Sequence, residues 1–487
     1  MSVVNHVDAF FKRANSIAYT PYLLIFAPLI VVCVRLALET ATGHNLSNVH
    51  LVFNYFSGYL QLQIMLVAAL ALAAGQDWRR QVGAVSIGLA FCAWLPPVLD
   101  LIIPRSVETH TTYRYFEEFQ WDFAAPYQLL GETITVWLGV VFMAFYAWWL
   151  TRSLARAAAA ALGAWAALQV FAWAWIAYGL ALFGHLGERA VDLMAACALA
   201  TVFTIYAALN WKTLAPSLKR FNHALPWGLM AAIGARLAGQ DWLAVGGKGL
   251  AMFAAFLLLT LANDYWDREQ DAAAGGAARP ITKDDLVVVL YFHVLLAFWT
   301  SLVFQAGFFL MVLFLSLGTA YHLPELRFKR LFCLGYKIEG GAAAAAFLFG
   351  AMGAERFPAG SWLPLFALLL FGGLALGSMF KDYKDIDQDR SDKIGTIYTR
   401  QLKHGRTLKG VHRFVALSTS GMFFAPPIWL YVAQEAALTA VAPLIVLAFL
   451  PAVLLLAIGD RKRAVELTMW SVALYLAAFL SVAPVLA

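Results

Sequence analysis

Hydrophobic residues run along this chain in long blocks separated by short polar stretches. Each block is about 20 residues long, the length that an α-helix needs to cross a hydrocarbon layer about 30 Å thick. Backbone N–H and C=O groups in lipid must pair within their own segment, so we expect each block to be a helix. The pattern predicts fifteen membrane spans, at residues 21–38, 58–75, 82–103, 129–150, 157–184, 190–210, 224–239, 246–264, 285–303, 306–322, 338–354, 362–380, 414–432, 437–457 and 466–485.

The composition agrees with a chain that lies mostly in lipid. Of the 487 residues, 62% are hydrophobic and only 13% are charged, against about 25% charged residues in soluble domains. So few charges cannot cover a water-facing surface, and we expect an all-α polytopic membrane protein. The four Cys residues are far apart in the sequence and indicate neither a disulfide framework nor a metal cluster.

Basic residues predict the orientation of the spans. With the N-terminus inside, 28 of the 35 Lys and Arg residues fall in inner loops, as cytoplasmic loops require. An odd number of spans then places the C-terminus outside, and we expect a bacterial cytoplasmic membrane. The net charge of +6 reflects this topology and does not indicate nucleic-acid binding. Membrane lipids and phosphorylated substrates are the expected partners.

A basic, Pro-containing stretch at residues 212–226 interrupts the hydrophobic blocks. Six predicted spans precede it and nine follow. We therefore predict an N-terminal membrane domain of about six helices at residues 1–220 and a second domain of about nine helices at residues 221–487. The sequence does not indicate what the first domain does.

One acidic motif occurs twice at the inner ends of predicted spans. The first copy follows the eighth span and consists of Asp264, Asp267 and Asp271. The second follows the twelfth span and consists of Asp382, Asp385 and Asp389. The i, i+3, i+7 spacing predicts three carboxylates on one helical face in each copy. The predicted topology places both copies on the cytoplasmic side.

Such stacked carboxylates repel one another, so a cation is expected to offset them. Mg²⁺ commonly joins one or two carboxylates to substrate phosphate, and two acidic faces can hold two ions on one diphosphate. The alternative is that each motif is only a solvated acidic loop. Two identically spaced copies in a chain with so few charges favour the diphosphate site. Arg279, Lys329 and Arg390 lie in inner loops and are candidates for binding its phosphate oxygens.

These motifs resemble those of the UbiA superfamily of intramembrane prenyltransferases, particularly the branch with chlorophyll synthase and the homogentisate and menaquinone enzymes. The stretch from Asn263 reads N-D-x-x-D-x-x-x-D, with Arg279-Pro280 downstream. The stretch from Tyr321 is similar to the Y-x-x-P-x-L-R-x-K loop of the same proteins. The likeness covers about residues 222–487, and the nine spans predicted there equal the number in that fold.

The resemblance implies that Asn263 and the six aspartates bind a prenyl diphosphate through Mg²⁺, with Asp264, Asp267, Asp382 and Asp385 as the catalytic carboxylates. Arg279, Tyr321, Lys329 and Arg390 would bind the diphosphate. The allylic diphosphate would then ionise between aromatic walls, and a lipophilic acceptor would capture the carbocation. Two departures leave the acceptor open: the glycine of the second motif is displaced to Gly395, and the first six spans have no counterpart.

Other functions stay open at this point. Within the same fold, the reaction is alternatively phosphoribosyl transfer to a polyprenyl phosphate or prenylation of a glycerol phosphate. A transporter or scaffold protein is an alternative of another class, but transporters place paired charges near the bilayer midplane, and these carboxylates cluster at one face. A CDP-alcohol phosphotransferase lacks support because its D-G-x-x-A-R signature is missing. The prenyl chain length and the oligomeric state are not indicated.

Overall fold

A computed structural model describes the protein at residues 3–41, 49–102, 130–171, 188–218, 221–268, 281–304, 307–323, 326, 328, 331–332, 334–352, 363–391, 394–433 and 437–482. Every regular element in these residues is helical, which confirms the predicted fold class. Contacts divide the chain into two compact units, Met1–Trp211 and Lys212–Ala487.

The first unit contains seven α-helices among its described residues. They are α1 (Val3–Asn15), α2 (Pro21–Ala41), α3 (Val49–Ala74), α4 (Val82–Ile102), α5 (Leu130–Thr151), α6 (Leu154–Gln169) and α7 (Glu188–Leu209). Helix α3 packs against α2, α6 and α7, and 72% of its apolar segment is buried inside the protein. It is therefore the central helix of this unit.

The second unit begins with a short helix and continues with longer ones. They are α8 (Trp211–Leu218), α9 (Phe221–Leu237), α10 (Trp242–Trp266), α11 (Lys283–Phe304), α12 (Phe308–His322), α13 (Leu334–Ala351), α14 (Leu363–Gly377), α15 (Ile386–Ser391), α16 (Ile397–Lys403), α17 (Leu408–Ala433), α18 (Leu438–Ala457) and α19 (Arg461–Val482). A 3₁₀ helix, Ser378–Tyr383, directly follows α14.

All fifteen predicted spans overlap a helix, and ten helices in the described residues are long and apolar enough to cross a membrane. The pair Leu193–Leu209 and Trp211–Leu218, bent at the break between them, makes eleven if it is counted as one span. The other predicted spans fall on shorter or less apolar helices, namely α6, α9, α12 and α13. The chain is thus a multi-pass membrane protein, and fifteen crossings remain a prediction.

Small residues bring α9 close to its two neighbours. Gly228 lies against the backbone of Gly249 on α10, and Gly350 on α13 lies against the backbone of Ala231. A Cβ at Gly350 would fall inside the van der Waals radius of that backbone, so only glycine allows this approach. Close contact between small residues is a main source of helix association in membranes.

Contacts between the helices fix their directions. Just beyond α9, the Gln240 side chain donates hydrogen bonds to the carbonyls of Gly350 and Met352 at the end of α13, so α9 and α13 end at the same side and run parallel. On α13 and α14, Gly340 meets Phe371, and the rings of Phe347 and Phe366 are 5.1 Å apart, which is antiparallel. The hairpin of α9 and α10 also runs antiparallel. One end of the unit therefore carries the start of α9, the end of α10, the start of α13 and the end of α14.

Candidate functional site

The first acidic motif lies at this end of the unit, where α10 stops. The carboxylate of Asp264 is fully buried on the last turn of α10. The Ser217 hydroxyl on α8 donates a hydrogen bond to Asp264 Oδ2 at 2.5 Å. Helix α10 ends at Trp266, and Asp267 is its C-cap, with its N–H bonded to the Asn263 carbonyl at 2.8 Å. The predicted helical face therefore holds for Asp264 and Asp267, while Asp271 lies outside the described residues.

Asn263 contributes a polar atom that its surroundings do not satisfy. Its side-chain Oδ1 is buried and has no hydrogen-bond partner among the described residues. A buried acceptor without a partner costs about 1–3 kcal/mol, a cost that a bound water or ion would offset. The neighbouring Arg268 places its guanidinium 4.1 Å from the centre of the Tyr265 ring. Arg279, the predicted phosphate ligand downstream, lies outside the described residues.

The second acidic motif lies at the same end of the unit, but it is not one continuous α-helix. Asp382 belongs to the 3₁₀ helix Ser378–Tyr383, and Asp385 follows in a turn. Asp389 belongs to α15, and its N–H bonds the Asp385 carbonyl at 2.8 Å. The predicted face is therefore not that of a single regular α-helix. The backbone nevertheless keeps a helical path, since Lys384 has right-handed helical angles and the Asp385 N–H bonds the Asp382 carbonyl at 3.1 Å. This path keeps Asp389 close enough to Asp382 for their charges to interact.

A network of side chains from α12 and α13 holds the start of the second motif. The Tyr336 hydroxyl donates a hydrogen bond to Asp382 Oδ2 and accepts one from the Ile397 N–H at 2.9 Å. Three steps further along α13, Glu339 Oε2 pairs with Lys381 Nζ at 2.8 Å. Tyr321 on α12 lies within hydrogen-bonding range of Glu339 and near Asp382.

The sequence interpretation identified Tyr321 and Asp382 but missed Tyr336 and Glu339. A signal was present, because Tyr336 and Glu339 are spaced i, i+3 and so share one helical face. Glu339 is also the only acidic residue of α13. The basic residues of the loop before α13 are already explained by membrane topology, so they offered no separate reason to expect a site at the start of α13.

A buried histidine, His412, packs against the residue that follows Asp382 in the second motif. The His412 ring stacks on Tyr383 with 3.7 Å between ring centres, and His412 Nε2 lies 2.7 Å from the Leu455 carbonyl. A carbonyl only accepts, so Nε2 carries the proton and Nδ1 accepts from the Tyr398 hydroxyl at 3.0 Å. Burial raises the pKa of the Tyr398 hydroxyl above its ordinary value, and the charge of Asp382 adds to the effect. Tyr398 therefore stays protonated as the donor.

The remaining predicted phosphate ligands have different placements. Arg390 is exposed on α15, and Lys329 lies outside the described residues. Within the described part of the chain, no three His, Cys, Asp or Glu side chains form a ready metal cage.

An apolar cavity leads from the second motif into the unit. Its outer part is lined by Ser378 and Lys381, which lie just before Asp382 in the sequence. Its inner part is lined by Phe366 and Phe479. The two parts share wall residues, namely Met230, Leu374, Met422, Phe423 and Val472. From Lys381 to Phe366 the wall follows α14 for roughly 20 Å.

Ser378 adds a polar atom to the outer wall, in addition to Lys381 and Thr419. Its Oγ is buried and has no hydrogen-bond partner in the described part of the chain. The hydroxyl of Thr419, on the opposite wall, is already bonded to the carbonyls of Val415 and Gly377. A ligand in the outer cavity thus meets one hydroxyl available for bonding, close to the acidic end.

Comparisons with known proteins found similarity to one family, in the second unit. The sequence model of the UbiA prenyltransferase family matches residues 224–481, just over half of the chain. Among solved structures, a digeranylgeranylglyceryl phosphate synthase shares 18% identity with a TM-score of 0.38, over 55% of this chain and 95% of that one. A UbiA homolog from Archaeoglobus fulgidus bound to DMAPP and Mg²⁺ shares 13% identity with a TM-score of 0.41, over 56% and 98% of the two chains. No curated protein is significantly similar to the chain.

Proposed function

The chain belongs to the UbiA prenyltransferase family, and we propose that its second unit transfers a polyprenyl group from its diphosphate to a lipophilic acceptor. The chain is therefore an enzyme of the membrane, and the proposal concerns its substrates and its site. The observation that carries the proposal is that two acidic motifs lie at the same end of a helical unit, and that an apolar cavity opens beside the second one. The diphosphate would lie at the acidic end and the prenyl chain in the cavity.

The residues at the acidic end fit Mg²⁺ bound to a diphosphate. The donors are carboxylate and amide oxygens, which hard divalent cations prefer. The Oδ1 atom of Asn263, which has no hydrogen-bond partner among the described residues, is a further oxygen that could bind a cation or accept a hydrogen bond. Mg²⁺ usually takes only one or two carboxylates and completes its shell with phosphate oxygens and water. Two separated acidic motifs fit this coordination preference of Mg²⁺ better than a closed cluster of carboxylates would.

The proposed ligands are the aspartates of both motifs, with Asn263 beside the first. Asp264, Asp267 and Asp271 would serve one ion, and Asp382, Asp385 and Asp389 the other. When bound, Mg²⁺ supplies Lewis-acid chemistry, offsetting the charge that develops on a leaving diphosphate. Arg279, Lys329 and Arg390 are proposed to pair with the remaining phosphate oxygens.

The protein's own groups would position the reacting carbon and protect it from water. The bond between the allylic carbon and the diphosphate oxygen breaks, and its electron pair leaves with the diphosphate. The acceptor donates an electron pair to that carbon and loses a proton. Aromatic rings next to the motif, such as Tyr383 and Tyr321, can stabilise the transient positive charge by about 1–2 kcal/mol in a desolvated site. The apolar cavity walls exclude water, which would otherwise capture the carbon.

We propose that both acidic motifs and the N-terminus face the cytoplasm of a bacterial cell. The support is the positive-inside distribution of Lys and Arg. The acceptor is proposed to be an aromatic or other lipid-forming compound that enters from the bilayer. Phosphoribosyl transfer and glycerol phosphate prenylation differ from this in donor or acceptor, so one assay separates all three.

The test is transfer by the purified full-length protein with Mg²⁺. Radiolabelled prenyl diphosphates of several lengths are offered with aromatic acceptors or glycerol phosphates, and phosphoribosyl diphosphate is offered with a polyprenyl phosphate. We expect labelled lipid product only from a prenyl diphosphate, and loss of it in Asp264→Asn and Asp382→Asn. Asp241→Asn is the matched control, because Asp241 caps α10 at the opposite end and asparagine caps equally well.

Two outcomes would overturn the proposal. One is undiminished transfer in both motif variants. The other is product formed only from phosphoribosyl diphosphate.

A further inference from the structure

The segment that joins the two units contributes a residue to the first acidic motif. Ser217 lies on α8, seven residues before the family match begins at residue 224. Its hydroxyl donates a hydrogen bond to Asp264 Oδ2 at 2.5 Å. Both groups are buried, with relative exposures of 1% for Ser217 and 0% for Asp264. The family model matches from residue 224, so this contact comes from outside the matched region.

Helix α8 is held in place by its own buried face. Leu214, Ala215 and Ser217 are buried, while Trp211 and Pro216 are exposed. The spacing of 214 and 217 puts both on one side of the helix. Leu214 is completely buried, so its apolar contacts anchor the turn that carries Ser217. The hydroxyl is therefore presented to Asp264 by a fixed helix.

A carboxylate has two oxygens with about four lone-pair sites. The bond from Ser217 uses one of these sites, on Oδ2. Carboxylates that bind metals are commonly held by such a neighbouring donor, which fixes their rotamer, and loss of the donor typically weakens metal affinity by about 10- to 100-fold. Ser217 has the position and the hydroxyl group that such a neighbouring donor needs.

We propose that Ser217 is a positioning residue that orients the Asp264 carboxylate for divalent-cation binding. The proposal rests on the proposed function of Asp264 as a Mg²⁺ ligand. It makes α8 a working part of the prenyltransferase unit, although α8 precedes the region that the family shares.

The test measures cation binding directly in the full-length protein. Mn²⁺ serves as a paramagnetic probe, and its dissociation constant is measured by electron paramagnetic resonance with geranyl S-thiolodiphosphate present. We expect Ser217→Ala to weaken Mn²⁺ binding by about tenfold or more. Ser217→Thr keeps the hydroxyl and should restore the affinity. Ser481→Ala is the matched control, because Ser481 is exposed and bonds only within its own helix, to the Ala478 carbonyl.

A merely structural serine would give a different pattern. In that case Ser217→Ala would lower the unfolding temperature while Mn²⁺ affinity of the folded fraction stayed at the wild-type value. That result overturns the proposal, as does failure of Ser217→Thr to recover affinity. If Ser217→Ala does not fold, Ser217→Cys, similar in shape but a weak donor, carries the same expectation of weakened binding.

Failure of this inference can be told apart from failure of the proposed function. If Asp264→Asn abolishes Mn²⁺ binding and transfer while Ser217→Ala changes neither, only the role of Ser217 is wrong. If Asp264→Asn leaves both unchanged, the proposed cation site itself is wrong.

Discussion

The Tyr336 hydroxyl bonds the Asp382 carboxylate and, at the same time, accepts the Ile397 N–H at 2.9 Å. One side chain on α13 thus connects the second acidic motif to the start of α16. The short 3₁₀ helix that carries Asp382 has few backbone bonds of its own. Its geometry therefore depends on bonds from other elements.

Tyr336→Phe should lower kcat/KM by about 10- to 100-fold, because a hydrogen bond to a charged group contributes about 1.5–3 kcal/mol. The measurement is steady-state transfer at saturating Mg²⁺. Tyr431→Phe is the control, since Tyr431 is half-exposed on α17, and it should behave like the wild type. Equal rates in both variants would show that Asp382 needs no such support.

The Glu339–Lys381 pair should be energetically coupled. A double-mutant cycle with Glu339→Gln and Lys381→Met, read by unfolding temperature in detergent, should give a coupling free energy of about 1 kcal/mol. This coupling free energy lies in the lower part of the usual range because the Lys381 side chain is 30% exposed and the pair is partly screened by solvent. The same cycle on the exposed Asp8–Lys12 pair should give about half of that or less. Additive effects in the first cycle would contradict the pairing.

The cavity should discriminate between prenyl chains by length. Leu374 lines both parts of the cavity, so Leu374→Phe should reduce transfer from long prenyl diphosphates while short ones remain good substrates. The measurement is the ratio of kcat/KM for a long and a short donor. Leu376→Phe, two residues away on an exposed position, should leave that ratio unchanged. A uniform loss for all donors would argue that the prenyl chain lies elsewhere.

The contact between α9 and α13 should be intolerant of any side chain. Gly350→Ala places a Cβ against the Ala231 backbone, and overpacking of this kind typically costs about 1–3 kcal/mol. We expect a lower unfolding temperature. Gly372→Ala is the control, because a Cβ there meets nothing within 4 Å and alanine favours the helix. Similar unfolding temperatures for the two variants would contradict the close packing.

The sequence predicted the helices well because their signal is local. Fifteen apolar blocks each overlap a helix, since length and hydropathy suffice to identify a helix in lipid. The first acidic motif was also readable as the end of a helix. The second was predicted as one α-helical face, and the change from α14 to a 3₁₀ helix and a turn has no local hydropathy signal.

The residues around the acidic motifs could be predicted only where a motif contained them. Ser217 lies 47 positions from Asp264, and Tyr336 lies 46 from Asp382. No periodicity links residues so far apart, because their contacts arise from tertiary packing, of α8 on α10 and of α13 on the 3₁₀ helix. The apolar cavity is likewise a product of that packing.

The most direct test is the position of Mn²⁺ in crystals of the full-length protein grown with geranyl S-thiolodiphosphate. We predict anomalous density within about 2.5 Å of carboxylate oxygens of both Asp264 and Asp382, with the diphosphate between them and the geranyl chain in the apolar cavity. Anomalous peaks away from both carboxylates, or a diphosphate bound at the opposite end of the unit, would contradict the account.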